Sequence, residues 1–185
     1  MAISNLTFIR ILLALLWLVV GSAASAQQQS IFINSDHPSG IQISNFAAGK
    51  SCLEGDEPTQ VCGETTTINI TGQSLCDWSE EIRYRCTWYA YQFDFQNARP
   101  GEEIICNVEN SHVTTFGPNT EEVTGLSTAR YTLEIDAADG HLFNPSYTTY
   151  APDAPVARVR ETHRCEYAGE PLFEVAYNRI SHPEQ

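Results

Sequence analysis

Residues 84–95 read YRCTWYAYQFDF, and this stretch decides the fold class. Alternation puts Tyr84, Cys86, Trp88 and Ala90 on one face and Tyr89, Tyr91, Phe93 and Phe95 on the other. Aromatic residues suit a pleated, half-buried surface. Apolar mass changes face near Trp88–Ala90. Two readings are open: a β-bulge that inverts the faces, or a strand covered on both sides.

The same pattern extends outward. Pro100-Gly101 offers a tight turn, and residues 102–108 return with Ile104, Cys106 and Val108 on one face. That pair of runs reads as the best hairpin of the chain. Asn110-Ser111 offers a second turn into 112–116. Residues 120–128 read as surface loop. Residues 130–136 place Tyr131, Leu133 and Ile135 inward. Residues 142–150 are aromatic but interrupted by Pro145. Residues 157–167 form a strand holding Cys165, and 172–180 close the domain after Gly169-Glu170-Pro171. Upstream, Ile31 and Ile33, then Ile41 and Ile43, then TTTINI at 65–70 mark further strands. Cys52 and Cys62 enclose a stretch that reads as an acidic loop. His37, beside Pro38, reads as an exposed turn residue.

One segment carries helical spacing. Leu75, Trp78 and Ile82 fall three and four apart, Ser74 stands as N-cap, and acids follow early. At most one short helix is therefore expected, around 75–83. Roughly seven to nine short strands separated by turn residues favour an all-β domain, an antiparallel β-sandwich or Greek-key barrel stabilised by disulfides.

The N-terminus reads as an address. ILLALLWLVV at 11–20 follows Arg10 and precedes Ala24-Ser25-Ala26, the pattern of a cleaved signal peptide over 1–26. The run falls short of the about 20 residues of a membrane span, so no span is expected after its removal, although a retained anchor is the alternative. Residues 27–185 then form a single secreted or periplasmic domain, large enough to bury a real core.

Export puts Cys52, Cys62, Cys76, Cys86, Cys106 and Cys165 where they oxidise. The favoured pairs are Cys52–Cys62, Cys76–Cys86 and Cys106–Cys165, with a swap such as Cys62–Cys76 left open. No closely spaced CxxC speaks for metal or redox work.

Twenty-three acidic against ten basic residues give a formal net charge of −13. Such a chain is repelled by nucleic-acid backbones and anionic lipid surfaces. The nearest basic group, Arg158, Arg160 and Arg164, is interspersed with Glu161 and Glu166. No nucleic-acid partner is expected.

Candidate chemistry is sparse. Glu54, Asp56 and Glu57, or Asp136 and Asp139, supply oxygen ligands of the kind calcium takes, without the spacing of an EF-hand loop. Ordinary solvent-facing turns are the alternative, and no other cofactor is expected. The histidines His37, His112, His141, His163 and His182 form neither HxH nor HExxH. Gly125-Leu126-Ser127-Thr128-Ala129 departs from GxSxG. Asn69-Ile70-Thr71 is a glycosylation sequon, meaningful only in a host that uses it.

The aromatic set offers one concrete site. Trp88, Tyr89 and Tyr91 would form a ligand platform, with Gln92 and Asp94 as polar contacts. The competing reading makes these rings core. The expected function is a non-enzymatic binding or structural module meeting a protein, a glycan or further copies of itself as a homo-oligomer. A small extracellular hydrolase is the alternative.

Overall fold

The computed structural model describes residues 30–79, 82–114, 116, 122–149 and 157–181. Residues 1–26, expected as a signal peptide, His182 and the strand candidate's tail beyond Thr114, apart from Phe116, lie outside them. The described residues form twelve strands and no helix. In chain order these are β1 (Ile31–Ile33), β2 (Gln42–Glu54), β3 (Glu57–Glu64), β4 (Thr67–Ile70), β5 (Ser74–Ser79) and β6 (Ile82–Gln96). Then follow β7 (Glu103–Asn110), β8 (Glu122–Val123), β9 (Thr128–Glu134), β10 (Gly140–Thr149), β11 (Ala157–Tyr167) and β12 (Glu170–Ser181).

Two sheets result. The first runs β1-β12-β11-β7-β9-β8, with β4 joining β12 in parallel. The second runs β10-β6-β2-β3, with β5 joining β6. All other pairings are antiparallel. The sheets stack through their aromatic faces. Tyr89 of β6 meets Tyr177 of β12 at 5.0 Å between ring centroids, and Phe93 meets Phe173 at 5.3 Å. Tyr89, Tyr91 and Phe93 are almost wholly buried. This is the disulfide-stabilised all-β sandwich.

β6 is the spine of its sheet, and it settles the face change near Trp88. Its pairing with β10 is unbroken from Gly140↔Phe95 to Thr149↔Cys86, so β6 carries no bulge against that neighbour. Cys86, Thr87 and Ala90 are buried along with the inward rings. The strand is covered on both sides at Cys86 and Ala90, while Trp88 between them stays partly exposed. The irregularity sits in β2 instead, between Ser44 and Ala47. There Asn45 adopts φ 51°, a conformation Asn tolerates, and Phe46 packs on Phe173 at 5.3 Å.

Several expectations are corrected. The runs around Pro100-Gly101 do not form a hairpin. β6 and β7 lie in different sheets, and the connection carries the chain from one layer to the other. It is pinned by Ala98 N–H on Ala138 O, Gly101 N–H on Ile135 O and Arg99 N–H on the Tyr167 hydroxyl. The segment with helical spacing is strand β5 and the start of β6, with Cys76 opposite Tyr84 and Ser74 opposite Cys86. A short run with few turns of helix gains less than a ladder fixed to a long neighbour. Pro145 does not interrupt β10, because among the described residues β10 pairs with β6 alone and an edge strand tolerates the missing N–H. The stretch between Cys52 and Cys62 is a β2–β3 hairpin closed by Gly55-Asp56, rather than a loop. His37 is buried, held by Ser39 and the Glu170 carbonyl against the Tyr167 ring. Ser111 and His112 bend rather than begin a strand.

The disulfides join Cys52 to Cys62, Cys76 to Cys86 and Cys106 to Cys165, and no cysteine is free. Cys106 and Cys165 stand directly opposite on β7 and β11, with Cα atoms 4.1 Å apart. Such a set belongs to a chain that folds in an oxidising compartment. No helix of the described residues is long and apolar enough to cross a membrane.

Candidate functional site

Strand parity divides the expected platform in two. Tyr89 and Tyr91 point into the sandwich with Phe93 and Phe95, so neither is a surface ring. Their neighbours Trp88, Gln92 and Asp94 therefore point outward. The register with β10 completes that outer face: Trp88 opposes Tyr147, Gln92 opposes Phe143 and Asp94 opposes His141. Trp88 and Tyr147 meet edge to face at 5.0 Å. Trp88, Phe143 and Tyr147 are each partly exposed. Sequence reasoning missed the β10 half, because Pro145 was read as a strand breaker.

The polar end of this face is ordered. Asp94 Oδ1 lies 2.7 Å from His141 Nδ1, and Asp94 Oδ2 accepts from Asn45 Nδ2 at 2.6 Å. These contacts, Asn45 first, hold the Asp94 carboxyl below its ordinary range. Gln92 Oε1 accepts the Val61 N–H at 2.8 Å, which fixes the amide and leaves its NH₂ as donor. β3 leans over this part of the sheet. A Cβ at Gly49 would lie 1.9 Å from the Gly63 carbonyl oxygen, so only glycine permits the approach. The indole N–H of Trp88 is buried without a partner.

A second constellation lies inside. Glu161 and His163 on β11 face the core, as do Tyr177 and Arg179 on β12, Asn110 on β7 and Tyr131 on β9. Glu161 Oε1 lies 2.8 Å from His163 Nε2 and accepts the Tyr89 hydroxyl at 2.8 Å. Arg179 Nη2 stands 3.3 Å from Glu161 Oε2 and donates to Asn110 Oδ1 at 2.6 Å. His163 Nδ1 meets the Tyr131 hydroxyl at 2.9 Å, and that hydroxyl meets Tyr91's at 2.7 Å.

The chemistry orients the chain. An ionised Glu161 has no proton to give, so His163 Nε2–H donates to it. In the neutral imidazole, Nδ1 then accepts from Tyr131, and Tyr131 accepts from Tyr91. Burial pushes the Glu161 carboxyl up. The Arg179 charge, with His163 and Tyr89, overcomes that and holds it down at about 2. Burial pushes the Tyr89, Tyr91, Tyr131 and Tyr177 hydroxyls well above the phenol range. The alternation of β11 also puts Arg158, Arg160 and Arg164 on the opposite side of the strand from Glu161, with Arg158 and Arg164 exposed. Outside, Arg164 is bound by Glu109 and Glu174.

The carboxylates considered for calcium act as fasteners or stand in solvent. Asp56 accepts from Leu75 N–H and the Ser74 hydroxyl and pairs with Arg83. Asp139 accepts Asn97 N–H at 3.1 Å. Glu54, Glu57 and Asp136 are exposed. Among the described residues no group of three or more His, Cys, Asp or Glu gathers to hold a metal.

No family model matches the chain, and no curated protein matches it. Two solved structures bear a distant likeness. One is the N-terminal domain of PorA, at TM-score 0.32 and 13% identity, covering 78% of this chain and 100% of that one. The other is a Niemann-Pick type C2 protein from Japanese carpenter ant, at TM-score 0.29 and 8% identity, covering 62% and 92%. At these scores neither likeness carries weight for fold or function.

Proposed function

We propose that the chain is a non-enzymatic binding module, secreted or periplasmic, whose contact face is the outer side of β6 and β10. One observation carries this reading: the rungs Trp88–Tyr147, Gln92–Phe143 and Asp94–His141 set rings and ordered polar groups on one side of two paired strands. Partly exposed rings beside fixed donors and acceptors are what a protein or glycan partner uses. The strand edges favour a discrete module over a strand-exchanged polymer. Pro145 removes a donor from β10, β8 has two residues, and β3 begins and ends on glutamate.

The test compares the disulfide-bonded protein with a Phe143→Ala/Tyr147→Ala double variant, both immobilised and exposed to extracytoplasmic extract of the source cells. Retention by the parent and loss by a variant of unchanged melting temperature supports the face. Equal retention by both sinks it.

The hydrolase alternative draws on Glu161 and His163, an acid–base pair 2.8 Å apart. Their side chains are 8% and 4% exposed, and Arg179 holds the carboxylate. A general base must reach the proton it takes. The binding reading is therefore preferred.

A further inference from the structure

We infer that the occupant of the β6/β10 outer face is a neutral glycan; this rests on the binding reading above and names its ligand class. Charge is the first argument. Between Trp88 and Gln96, and along all of β10, there is no lysine or arginine, while Asp94 sits on the face. The chain as a whole carries −13. An acidic polysaccharide or a nucleic acid meets the net negative charge of the chain and no lysine or arginine from these two segments.

Ring placement is the second argument. Tyr147 and Phe143 lie four residues apart on one side of β10, about 13 Å along the strand. Trp88 abuts Tyr147 at 5.0 Å. Apolar C–H faces of pyranose rings stack on such side chains, and the hydroxyls between them need separate donors and acceptors. This face supplies both. Asp94 accepts, and its two oxygens are already oriented by Asn45 and His141. The Gln92 amide donates, because its oxygen is held by Val61. A peptide interface would instead centre on a fully desolvated apolar anchor, and here the rings alternate with Asp, His and Gln.

The third argument is the buried, unpartnered indole N–H of Trp88. A buried donor left unmatched is costly. A sugar hydroxyl is an acceptor of the kind this donor lacks.

The experiment titrates the oxidised protein with cellohexaose, chitohexaose, xylohexaose and laminarihexaose, reading calorimetric heat and tryptophan emission, with oligogalacturonate as the anionic control. Saturable binding of at least one neutral probe is expected, with an emission change that Trp88→Phe removes. Phe143→Ala and Tyr147→Ala should each weaken it roughly two- to tenfold with melting temperature retained. If no neutral probe binds, or binding survives both alanine variants, the inference fails. If oligogalacturonate binds instead and Phe143→Ala removes it, the neutral-glycan assignment falls while the contact face stands.

Discussion

The Tyr89 hydroxyl donates to Glu161 Oε1 at 2.8 Å, joining two residues 72 positions apart that belong to opposite sheets. Around this bond the sandwich interior changes character. Toward Phe93, Phe173, Ile104 and Leu172 it is hydrocarbon. Toward Glu161, Arg179, Asn110 and His163 it is a hydrogen-bonded ionic cluster. A buried pair of this kind adds little over a good apolar substitute, but removing one partner strands the other.

Glu161→Gln is therefore expected to cost about 3–5 kcal/mol at neutral pH, because Arg179 loses its counter-charge in the interior. The pH dependence follows from the depressed carboxyl. Its folded value, about 2, lies below its unfolded one. Stability from Glu161 is present above the unfolded pKa and is lost as pH falls toward the folded one. Urea midpoints of parent and variant should converge as pH drops from 5 toward 2. A constant gap across that window contradicts the account.

Tyr91 distinguishes core from surface. Tyr91→Ala should cost about 3–5 kcal/mol or abolish folding, as a large buried ring replaced by methyl does. Phe143→Ala, on the outer face, should cost about 1 kcal/mol or less. Tyr91→Phe keeps the ring and removes only the donor to Tyr131, for about 1 kcal/mol. Denaturant melts of the three variants give the order.

Gly49→Ala is expected to destabilise by at least ~2 kcal/mol, since the added carbon meets backbone rather than a movable side chain. Gly55→Ala is the contrasting control. Nothing lies within 4 Å of a Cβ there, and its cost comes from φ +66° alone. Melting temperatures separate the two cases, and equal losses would contradict a close β2–β3 crossing.

The disulfides should rank by the chain they enclose. In the loop-entropy model, removing Cys106–Cys165, 59 residues apart, costs about 4 kcal/mol. Removing either bridge of separation 10 costs about 2.7 kcal/mol. Paired alanine variants measured in urea test the order, and a reversed one would put native-state packing ahead of chain entropy.

What could be read without coordinates is local. Period-two alternation marks the strands, because side chains of any β run leave opposite faces whatever the partner. Equal ten-residue steps favour the pairs Cys52–Cys62 and Cys76–Cys86, and the fold forms both, although across hairpins where the sequence reads as a loop and a helix. The inward set Tyr131, Leu133 and Ile135 follows from the same rule. Helical spacing over Leu75–Ile82 was misleading, because apolar residues three and four apart also occur by chance in a short strand pair.

Tertiary structure alone decided which layer each strand joins. Pro100-Gly101 looks the same whether it closes a hairpin or carries the chain between sheets, since that choice depends on β11 and β12, some 70 residues later. Pro145 becomes acceptable only because β10 is an edge. Glu161 reads as one acid among arginines until β11 is given a core side, and then it is the buried partner of Arg179. The outer face exists only because β10 pairs with β6, bringing Phe143, Tyr147 and His141 beside Gln92, Trp88 and Asp94. Alternation fixes which residues share a side of one strand, whereas pairing between distant strands fixes which sides share a surface.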